Sequence, residues 1–341
     1  MRLVDVAERA GVSLATASRA LSGRDGVSAA VAERVRQVAR EMGYVANPHA
    51  RTLAGGATST VGLVVHQIDD PYFSEIAAGV IEAAAEENLI VQIGQSGRDP
   101  QQVLRQIRHL RAQRVGIIVL AGSGYVDPEL EAGAKAELAA FQASGGRVTA
   151  IGRHFLGTDA VLPDNAGGAR EMAEHLLGLG HRSFAIAAGA GGLSTVADRL
   201  AGVVSALSEA GVTEEERPVV YADFTRDGGS DAARRVLREH PRCTAIMALN
   251  DAMAMGVLSE LRTRGVRVPR DVSVTGFNDV AVAADLAPGL TTIRIPLADI
   301  GRQALRIALR PRTARPRRRV TGHRLVVRAS TGVPGGGVGG G

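Results

Sequence analysis

The sequence predicts a small all-α unit followed by a much larger α/β unit that holds two doubly wound parallel sheets in two lobes. Three observations support this fold class. Two short helical patterns flank a glycine turn within residues 3–22. From Val61 onward, short apolar runs alternate with amphipathic helix patterns, which favours parallel strands covered by helices. The alternating pairs are too many for one comfortable sheet, so two lobes are expected.

The composition is that of a folded globular protein with large cores. The chain has 341 residues, of which 45% are hydrophobic and 22% are charged, and this length predicts two or three domains. Cys243 is the single cysteine, which excludes an intrachain disulfide and a cysteine zinc cluster. The net charge of +5 is compatible with a nucleic-acid partner but is weak evidence for one.

Membrane and export signals are not expected. No apolar run is long enough to cross a bilayer. Acidic residues interrupt the N-terminal segment from Asp5, so it does not resemble a signal peptide. The expectation is a cytoplasmic protein with no membrane partner.

The first two elements of the small unit are a predicted helix-turn-helix. The patterns 3–10 and 14–21 each place apolar residues on one face. Gly11 supplies backbone freedom at the end of the first helix, and Ser13 can cap the second by accepting a backbone N–H. Such a pair lays its second helix in the DNA major groove. The outward face of that helix is small and rich in hydroxyls, whereas a solvated face would carry Glu–Lys pairs.

A third helix completes this unit, which is predicted to span residues 1–46. Ser28 is a candidate N-cap, and the helix is expected to reach about Gly43. The second helix is expected to bury Ala17 and Leu21. The apolar stripe of the third helix consists of Val31, Val35, Val38 and Met42.

Residues 47–60 are predicted to form a short hinge helix and a linker. Asn47-Pro48 is a helix start signal, and Gly55-Gly56 is a stop signal. A helix of this length is not stable alone in water, so it would fold only on DNA or against a partner copy. At the other end of the chain, the glycine-rich tail 332–341 is expected to be disordered.

The large unit is predicted to span residues 61–331. Lobe 1 is expected to comprise 61–160 and 291–322, and lobe 2 to comprise 161–290 and 323–331. The predicted strands are 61–68, 89–94, 115–121, 147–152, 183–189, 218–222, 244–249, 272–277, 291–295 and 323–328. The predicted helices are 72–87, 100–113, 129–143, 166–179, 197–210, 228–239, 251–264 and 297–309.

The loop Asp69-Asp70-Pro71-Tyr72-Phe73 is a candidate ligand site. It follows the first strand of the large unit and opens a helix, where doubly wound sheets bind ligands. Carboxylates accept hydrogen bonds from sugar hydroxyls, and aromatic rings cover the apolar face of a sugar. The alternative is that Asp69 caps the helix and Phe73 belongs to the core.

No chemical set in the sequence indicates an enzyme. The two adjacent carboxylates are not accompanied by a nucleophile, a catalytic triad or a metal-ligand set. The run Gly189-Ala190-Gly191-Gly192 lacks the spacing of a nucleotide-binding loop. His181 is interpreted as a structural turn residue. The expectation is therefore no catalytic residue, no cofactor and no metal.

Taken together, these motifs resemble the lactose/galactose repressor (LacI/GalR) family over nearly the whole chain. The resemblance rests on the segments DVAERAGVSLATASRALSG, VGLVVHQIDDPYFSEIAAGV, DRLAG, ALNDAMAMGVLSEL, VPRDVSVTGFNDV and LTTIRIPLADIG. It implies a homodimeric transcription factor with a DNA-binding headpiece, a hinge helix and a core like that of periplasmic sugar-binding proteins.

The resemblance assigns DNA contacts to the small unit and the hinge. Arg19 is expected to make the specific contact, because a guanidinium can donate to both O6 and N7 of guanine. Leu14 and Ala15 can offer apolar contact only. Leu53 is expected to wedge into the minor groove and kink the duplex, the alternative being that it packs the hinge on the headpiece. The other DNA-contact candidates are Leu3, Ser13, Thr16, Ser18, Ser22, Ser28, Tyr44, Asn47 and Ala54.

The resemblance also assigns effector contacts. Arg199 is expected to clamp the ligand, whereas Arg153 follows a strand end and is equally open to being a surface arginine. Asn250 matches a ligand contact and could also cap its helix. Asn278 departs from the aspartate common in the family, but an amide both donates and accepts, so polyol binding is retained. The effector candidates are Asp70, Tyr72, Phe73, Arg153, Thr195, Arg199, Phe224, Asn250 and Asn278.

The resulting hypothesis is a ligand-responsive transcriptional regulator, in particular a repressor of a carbohydrate-use operon. The expected partners are near-palindromic operator DNA, a sugar-like effector and a second copy of the chain. A purine- or nucleoside-type corepressor is the alternative effector. A solute-binding protein and a doubly wound enzyme are the rival classes. No terminal heptad repeat follows the core, which favours a dimer over a tetramer.

Overall fold

The structure, a computed structural model, describes residues 2–22, 25–44 and 60–335. The contacts of the chain divide it into two units, Met1–Ser59 and Thr60–Gly341. No helix in the described ranges is both long enough and apolar enough to cross a membrane.

The predicted hinge segment is nearly all outside this description. Asn47, Leu53 and Ala54 are not among the described residues, and Thr60 is the first described residue of the second unit. The hinge helix and the wedge role of Leu53 therefore stay predictions from the sequence.

The first unit contains the three predicted helices. They are α1 (Leu3–Arg9), α2 (Leu14–Ser22) and α3 (Ala29–Glu41). Gly11 has a φ of +63°, a conformation that glycine adopts without strain, so its predicted role in the turn is confirmed. The predicted cap is also confirmed, because the Oγ of Ser13 accepts a hydrogen bond from the backbone N–H of Thr16 at 3.1 Å.

A small core holds these helices together. Val6, Ala17 and Val35 are fully buried, one from each helix. Leu21 packs against this core but is only half-buried rather than buried as predicted, and Ala20 is the buried neighbour of Ala17. Positions three apart on a helix share a face, which places both alanines against the other two helices.

The second unit is built on strands that alternate with helices, as predicted. In chain order the strands are β1 (Thr60–Val65), β2 (Ile90–Gln95), β3 (Ile117–Ala121), β4 (Arg147–Ile151), β5 (Asp159–Pro163), β6 (Phe184–Ala188), β7 (Val219–Tyr221), β8 (Ala245–Ala248), β9 (Ser273–Asn278), β10 (Thr291–Arg294), β11 (Arg318–Thr321) and β12 (Arg324–Val326).

These strands form two six-stranded sheets, one in each lobe. The first has the order β11-β5-β4-β3-β1-β2, and all its strands are parallel. The second has the order β12-β10-β9-β8-β6-β7, and only β12 is antiparallel to its neighbour. Most central strands are buried along their whole length, as expected for parallel sheets covered on both faces.

Helices cover both faces of each sheet. They are α4 (Pro71–Glu86), α5 (Pro100–Ala112), α6 (Ala132–Ala143), α7 (Asn165–Gly178), α8 (Ser194–Glu209), α9 (Arg226–Glu239), α10 (Asp251–Thr263) and α11 (Leu297–Leu309). Short 3-10 helices at Pro128–Glu131 and Ala281–Ala284 complete the set. Glycines allow close helix crossing: a Cβ at Gly79 on α4 would lie 1.8 Å from the backbone oxygen of Ala298 on α11.

The predicted lobe boundaries need two corrections, and the predicted disordered tail needs a third. Strand β10 belongs to the second lobe, because Thr291–Arg294 pairs with β9. The first lobe continues to Pro163, because β5 pairs with β4 and β11. The segment 332–335 is described rather than disordered. There the backbone oxygen of Gly332 lies 2.9 Å from Nε2 of buried His181, which confirms a structural role for that histidine.

Candidate functional sites

Helix α2 presents a small, cationic face to solvent. Leu14 is 52% exposed, and Ala15 and Arg19 are also exposed. Arg36 and Arg40 on α3 pair with Glu33, whereas Arg19 has no carboxylate partner among the described residues of this unit. The guanidinium of Arg19 is therefore available to an external acceptor, and the apolar side chain of Leu14 is available for contact with a base methyl.

The predicted phosphate-binding hydroxyls are partly engaged within the helix. The Oγ of Ser13 caps α2 and lies 2.8 Å from Oγ1 of Thr16. The Oγ of Ser22 donates to the backbone oxygen of Ser18 at 2.7 Å. These local bonds hold the side chains at the helix surface, and each hydroxyl would exchange its bond to donate to a phosphate.

Three further candidates lie at the edge of this unit. Ser28 is exposed, and its side chain makes no capping bond at the start of α3. Leu3 and Tyr44 are half-buried and pack against the small core. The packing of Leu3 and Tyr44 gives them a structural role beside any contact with DNA.

The cleft of the second unit lies where the strands of both sheets end. His66 follows β1, Arg98 follows β2 and Ser123 follows β3 in the first lobe. Asn250 follows β8 and Asn278 ends β9 in the second lobe. This is the position in which doubly wound sheets bind ligands. The complete lining is His66, Asp70, Tyr72, Phe73, Arg98, Ser123, Leu193, Thr195, Arg199, Phe224, Asn250 and Asn278.

Arg199 is the most deeply buried polar group of the cleft. It extends from α8 and is 1% exposed. Its guanidinium donates to Oδ1 of Asn165 at 2.9 Å, to the backbone oxygen of Leu249 at 2.5 Å and to Oδ1 of Asn278 at 2.9 Å. All three acceptors are neutral. Five N–H groups are present on a guanidinium, so two remain for a ligand.

The charge of Arg199 is retained despite its burial. Burial lowers the pKa of Arg199 to about 10, and nearby Tyr72, Asp251 and Asp70 act in the opposite direction. The side chain is therefore cationic at neutral pH. Its carbon Cζ also lies 3.8 Å from the centroid of the Phe277 ring, which adds a cation–π contact.

Asn278 sits on an unusual backbone. Its φ is +120°, and the next residue, Asp279, has a φ of +57°. Non-glycine residues in this region are strained and cluster at functional sites. Oδ1 of Asn278 accepts from Arg199, and no described residue accepts a hydrogen bond from its two amide N–H groups, which can therefore donate to a ligand.

The carboxylate side of the cleft is formed by Asp70. Its Oδ1 accepts a hydrogen bond from the backbone N–H of Tyr72 at 3.0 Å, so Asp70, rather than the exposed Asp69, caps α4. Arg98 lies 3.8 Å from its other oxygen. Burial raises the pKa of Asp70, and the hydrogen bond from Tyr72 and the charge of Arg98 partly offset that effect.

Aromatic rings line both sides of the same space. Phe73 is 4% exposed and contributes both to the core and to the cleft, so its two predicted roles coexist. Tyr72 packs edge-on against Phe73, with centroids 4.9 Å apart. Across the cleft, Phe224 is half-buried, and the guanidinium carbon of Arg98 lies 5.9 Å from its centroid.

The two roles of Asn250 are also compatible. Its Oδ1 accepts from the backbone N–H of Met253 at 2.7 Å, which caps α10. Its Nδ2 donates to the backbone oxygen of Phe224 at 3.3 Å. Thr195 lies beside the same space, where its backbone N–H donates to Oγ of Ser123 at 3.0 Å. This bond joins the two lobes at the cleft.

Arg153 is the one effector candidate that the structure does not bring to the cleft. Its Nη2 and Nε lie 2.8 and 3.0 Å from Oδ1 of Asp198 on α8. The planar guanidinium is held by this carboxylate, which leaves it outside the cleft lining. Arg153 follows β4 of the first lobe, so it connects the lobes instead.

Four lining residues were missed from the sequence: His66, Arg98, Ser123 and Leu193. Three of them have a common signal, since His66, Arg98 and Ser123 each lie within three residues of the end of a strand. The end of a parallel strand is where a ligand site is expected, so polar residues in those loops were candidates on position alone.

His66 is held as a neutral ring at the base of the cleft. Its Nδ1 lies 3.1 Å from Oγ of Ser96, and its Nε2 lies 3.1 Å from the backbone oxygen of Ser123. Burial, reinforced by the charge of Arg98, lowers the pKa of His66 to about 3. A neutral ring with Nε2 protonated satisfies the bond to the carbonyl. No group of acidic, histidine or cysteine residues in the described ranges could hold a metal ion.

Comparison with known proteins shows which families have this arrangement of a helix-turn-helix unit and a two-lobed unit. Residues 2–47 match the family model of bacterial regulatory proteins of the lacI family, and residues 173–331 match that of the periplasmic binding protein-like domain. The chain is 32% identical to the HTH-type transcriptional regulator DegA of Bacillus subtilis (strain 168) over 334 residues, which cover 96% of this chain and 97% of DegA.

Solved structures match over the same extent. A complex of the transcriptional regulator CelR with cellobiose is 32% identical with a TM-score of 0.71. The lac repressor dimer bound to operator and the anti-inducer ONPF is 26% identical with a TM-score of 0.85. Both matches cover 97% of this chain and 99% of the other chain. With its helix-turn-helix unit and its two-lobed cleft, the chain belongs to the LacI family of bacterial transcriptional regulators.

Proposed function

We propose that this protein is a repressor whose affinity for operator DNA is set by a small polyhydroxylated molecule bound between its lobes. One observation carries the proposal: the same chain combines an exposed reading helix, α2, with a polar and aromatic cleft at the ends of two parallel sheets. Neither a solute-binding protein nor an enzyme needs the first of these features.

The reading helix supports sequence-specific contact in the major groove. Arg19 can donate to two acceptors of a guanine, and Leu14 and Ala15 can contact a thymine methyl. Leu53 of the hinge segment would add a wedge in the minor groove, in line with the sequence prediction. The operator is expected to be nearly palindromic, because two identical units would each read one half-site.

The chemistry of the cleft favours a sugar or sugar derivative. Asp70 accepts hydroxyl hydrogen bonds, Arg199 donates them and Asn278 donates through its free amide. Tyr72 and Phe224 offer rings to the apolar face of a sugar. CelR is solved with cellobiose bound, which supports the same ligand class here. A flat purine or nucleoside that stacks on Phe224 is the second candidate ligand.

A dimer is supported by exposed apolar side chains at the β2 edge of the first lobe. Ile90 and Ile93 lie on β2, an edge strand of the first sheet, and are 60% and 39% exposed. Ile81, on the neighbouring helix α4, is 46% exposed. Covering these side chains with a second copy would remove apolar area from water. The solved lac repressor is a dimer on its operator, which supports the same assembly.

The proposed coupling runs through the contacts between the lobes. Arg153 pairs with Asp198, and Oγ of Ser123 lies 3.2 Å from Oγ of Ser194. A ligand that binds the closed lobes better than the open lobes shifts the population toward closure. A change in lobe closure would alter how two first lobes pair, and thereby the hinge that positions the reading helices.

The regulatory role implies no catalysis, and action on chromosomal DNA implies a cytoplasmic location. Both statements rest on the relatives, which are transcriptional regulators.

A thermal-shift screen against sugars, nucleosides and purines tests the effector proposal. A ligand that binds only the folded cleft raises the unfolding midpoint by mass action. The expected result is that a sugar raises the unfolding midpoint of the wild type but not of Arg199→Lys. A lysine ammonium cannot reproduce the planar arrangement of N–H donors of the guanidinium. A shift with purines alone would favour the corepressor class, and a shift unaffected by Arg199→Lys would place the ligand elsewhere.

A further inference from the structure

The positive charge of the chain is concentrated at its C-terminal end. All 35 acidic residues precede Ile300, whereas ten arginines follow Asp299. The first 299 residues therefore carry 30 cationic side chains against 35 acidic ones. A general preference for arginine over lysine would explain which cation is used, but it would not remove every acid from this stretch.

The densest part of this stretch lies on one edge of the first sheet. Residues 310–317 connect the end of α11 to the start of β11. Because all strands of this sheet are parallel, they all begin on the same side of the sheet, and we call this side the N-terminal edge. Thr60, where the chain enters from the DNA-binding unit, starts β1 on that same edge. Strands β1 and β11 are four positions apart, which separates their starts by roughly 19 Å.

The segment is fixed in place by two of its own arginines. Arg317 pairs with Asp159, with Nη2 and Oδ2 2.7 Å apart. Arg312 donates to the backbone oxygen of Gln142 at 3.0 Å. These bonds give the segment a defined shape against β5 and α6.

Four other arginines, two in this segment and two at the start of β11, are presented to solvent. They are exposed, and in the described part of the chain none of them has a carboxylate partner. They are Arg310, Arg315, Arg318 and Arg319. We refer to these four side chains as the arginine edge. Elsewhere on the surface, arginines such as Arg170 and Arg267 are paired with acids.

The length of the connecting segment limits how far bound DNA can be from this edge. Residues 45–59 span at most about 50 Å even when fully extended. Tyr44, the last described residue of the first unit, therefore stays within about that reach of Thr60, and a duplex held by this unit carries two negative charges every 3.4 Å or so.

We propose that the arginine edge contacts the phosphate backbone of duplex DNA that continues beyond the bases read by α2. The contact is independent of sequence, because guanidinium groups that meet phosphates carry no base information. It adds affinity and salt dependence to binding and leaves specificity to the N-terminal unit. This inference rests on the proposed DNA-binding function.

The test compares two full-length variants with equal loss of charge. The first carries Arg310→Gln, Arg315→Gln, Arg318→Gln and Arg319→Gln. The control carries the same change at four exposed arginines of the second lobe that have no carboxylate partner in the described residues: Arg182, Arg242, Arg262 and Arg270. Fluorescence anisotropy measures binding to a random-sequence duplex of about 40 base pairs at several salt concentrations.

The expected result is a smaller salt dependence in the first variant only. Each phosphate contact contributes about 0.9 to the slope of log K against log salt, so the slope should fall by about 2 to 3. The control slope should change by less than about 1. Unfolding midpoints close to that of the wild type for both variants show that neither lost its fold.

Equal slopes for the two variants would overturn the proposal and leave an acidic protein as the candidate partner of this edge. That result differs from a failure of the proposed function, in which the wild-type protein itself would show no salt-dependent binding to any duplex. In that case both the proposed DNA-binding function and the proposed role of the arginine edge are contradicted.

Discussion

The guanidinium of Arg199 is buried, and no carboxylate of the described residues is hydrogen-bonded to it. Its three protein acceptors are two amide oxygens and one backbone oxygen. A buried charge is costly unless it is paired, and hydrogen bonds to charged groups are about twice as strong as neutral ones. Arg199 therefore has N–H groups left that can donate hydrogen bonds to an oxygen-rich effector.

Asn278→Asp should stabilise the protein without ligand. The substitution places a carboxylate at the position where Oδ1 now lies 2.9 Å from Nη2 of Arg199. We expect a gain of about 1 to 3 kcal/mol in the free energy of unfolding at pH 7, measured by chemical denaturation. Arg199 depresses the pKa of the new carboxyl, so the gain is present above about pH 4 and is lost as the pH falls through that pKa.

The matched variant is Asn165→Asp, which changes the other amide acceptor of the same guanidinium. Its gain should be similar, and the double variant should gain less than the sum, because one positive charge cannot compensate two carboxylates. A loss of stability in Asn278→Asp would mean that Asp251 and the other acids nearby already neutralise Arg199.

Protonation of His66 in the unfolded chain should make the free energy of unfolding depend on pH. Because the pKa of His66 is about 3 when folded and 6.5 in the reference state, the unfolded chain takes up a proton that the folded chain excludes. The contribution of the neutral ring to the free energy of unfolding is fully present only well above pH 6.5 and is lost as the pH falls, by about 2 kcal/mol between pH 7 and pH 5. The advantage of wild type over His66→Asn should shrink by that amount.

The control for this measurement is His109→Asn, which changes an exposed histidine of α5. Other groups titrate equally in wild type and variant, so they cancel in the comparison. An advantage of wild type over His66→Asn that stays constant from pH 7 to pH 5 contradicts the assignment of a neutral, buried ring.

Single residues differed in how well the sequence predicted them. Arg199, Asn250 and Asn278 were placed in the cleft because they lie in segments that resemble the family. Arg98 was missed because its loop has no such motif, and it reaches the cleft only through the pairing of β2 with β1. For Arg153 the sequence left an effector contact and a surface role open, and it could not show the pairing with Asp198, which is 45 residues away and belongs to the other lobe.

Helix α2 is the element on which specificity depends. Arg19→Ala should relax discrimination at one operator position, because removing a bidentate contact to guanine costs about 1 to 3 kcal/mol against the wrong base. The measurement is relative affinity for a selected operator and its single-base variants. Arg34→Ala, at another exposed arginine of the same unit, is the control.

If the ratio of affinities across operator variants is the same in Arg19→Ala and wild type, Arg19 does not read a base. A loss of affinity in Arg19→Ala that is the same for all operator variants would instead indicate that Arg19 contacts a phosphate.

Most helices and strands were predicted well, including the edge strands β2, β7 and β12, but β5 and β11 were not predicted. Strand β3 is an apolar run that is buried throughout, so its pattern is visible locally. Strand β11 reads RRVT, with three exposed residues, and β5 is short. Both exist because they pair with each other across more than 150 residues of chain, which no local pattern records.

The whole molecule is expected to act as a dimer through the first lobe. Ile90→Arg places a charge on the exposed edge strand β2, where desolvating it in an interface would be costly. Light scattering should then report a monomer, and operator affinity should fall at least 10-fold, because two half-sites are no longer read together.

Val327→Arg is the matched control, since Val327 is 58% exposed in the second lobe. It should leave the dimer intact. A dimer that persists in Ile90→Arg would show that the copies associate through another surface.

Ligand-dependent DNA affinity tests the central claim most directly. A duplex is selected from a random pool with the full-length protein, and its affinity is measured by anisotropy with and without the small molecule that stabilises the cleft. We predict a near-palindromic duplex whose affinity changes at least 10-fold with ligand in the wild type, a coupling of about 1.4 kcal/mol or more. An affinity for the selected duplex that is the same with and without the cleft ligand would contradict the account.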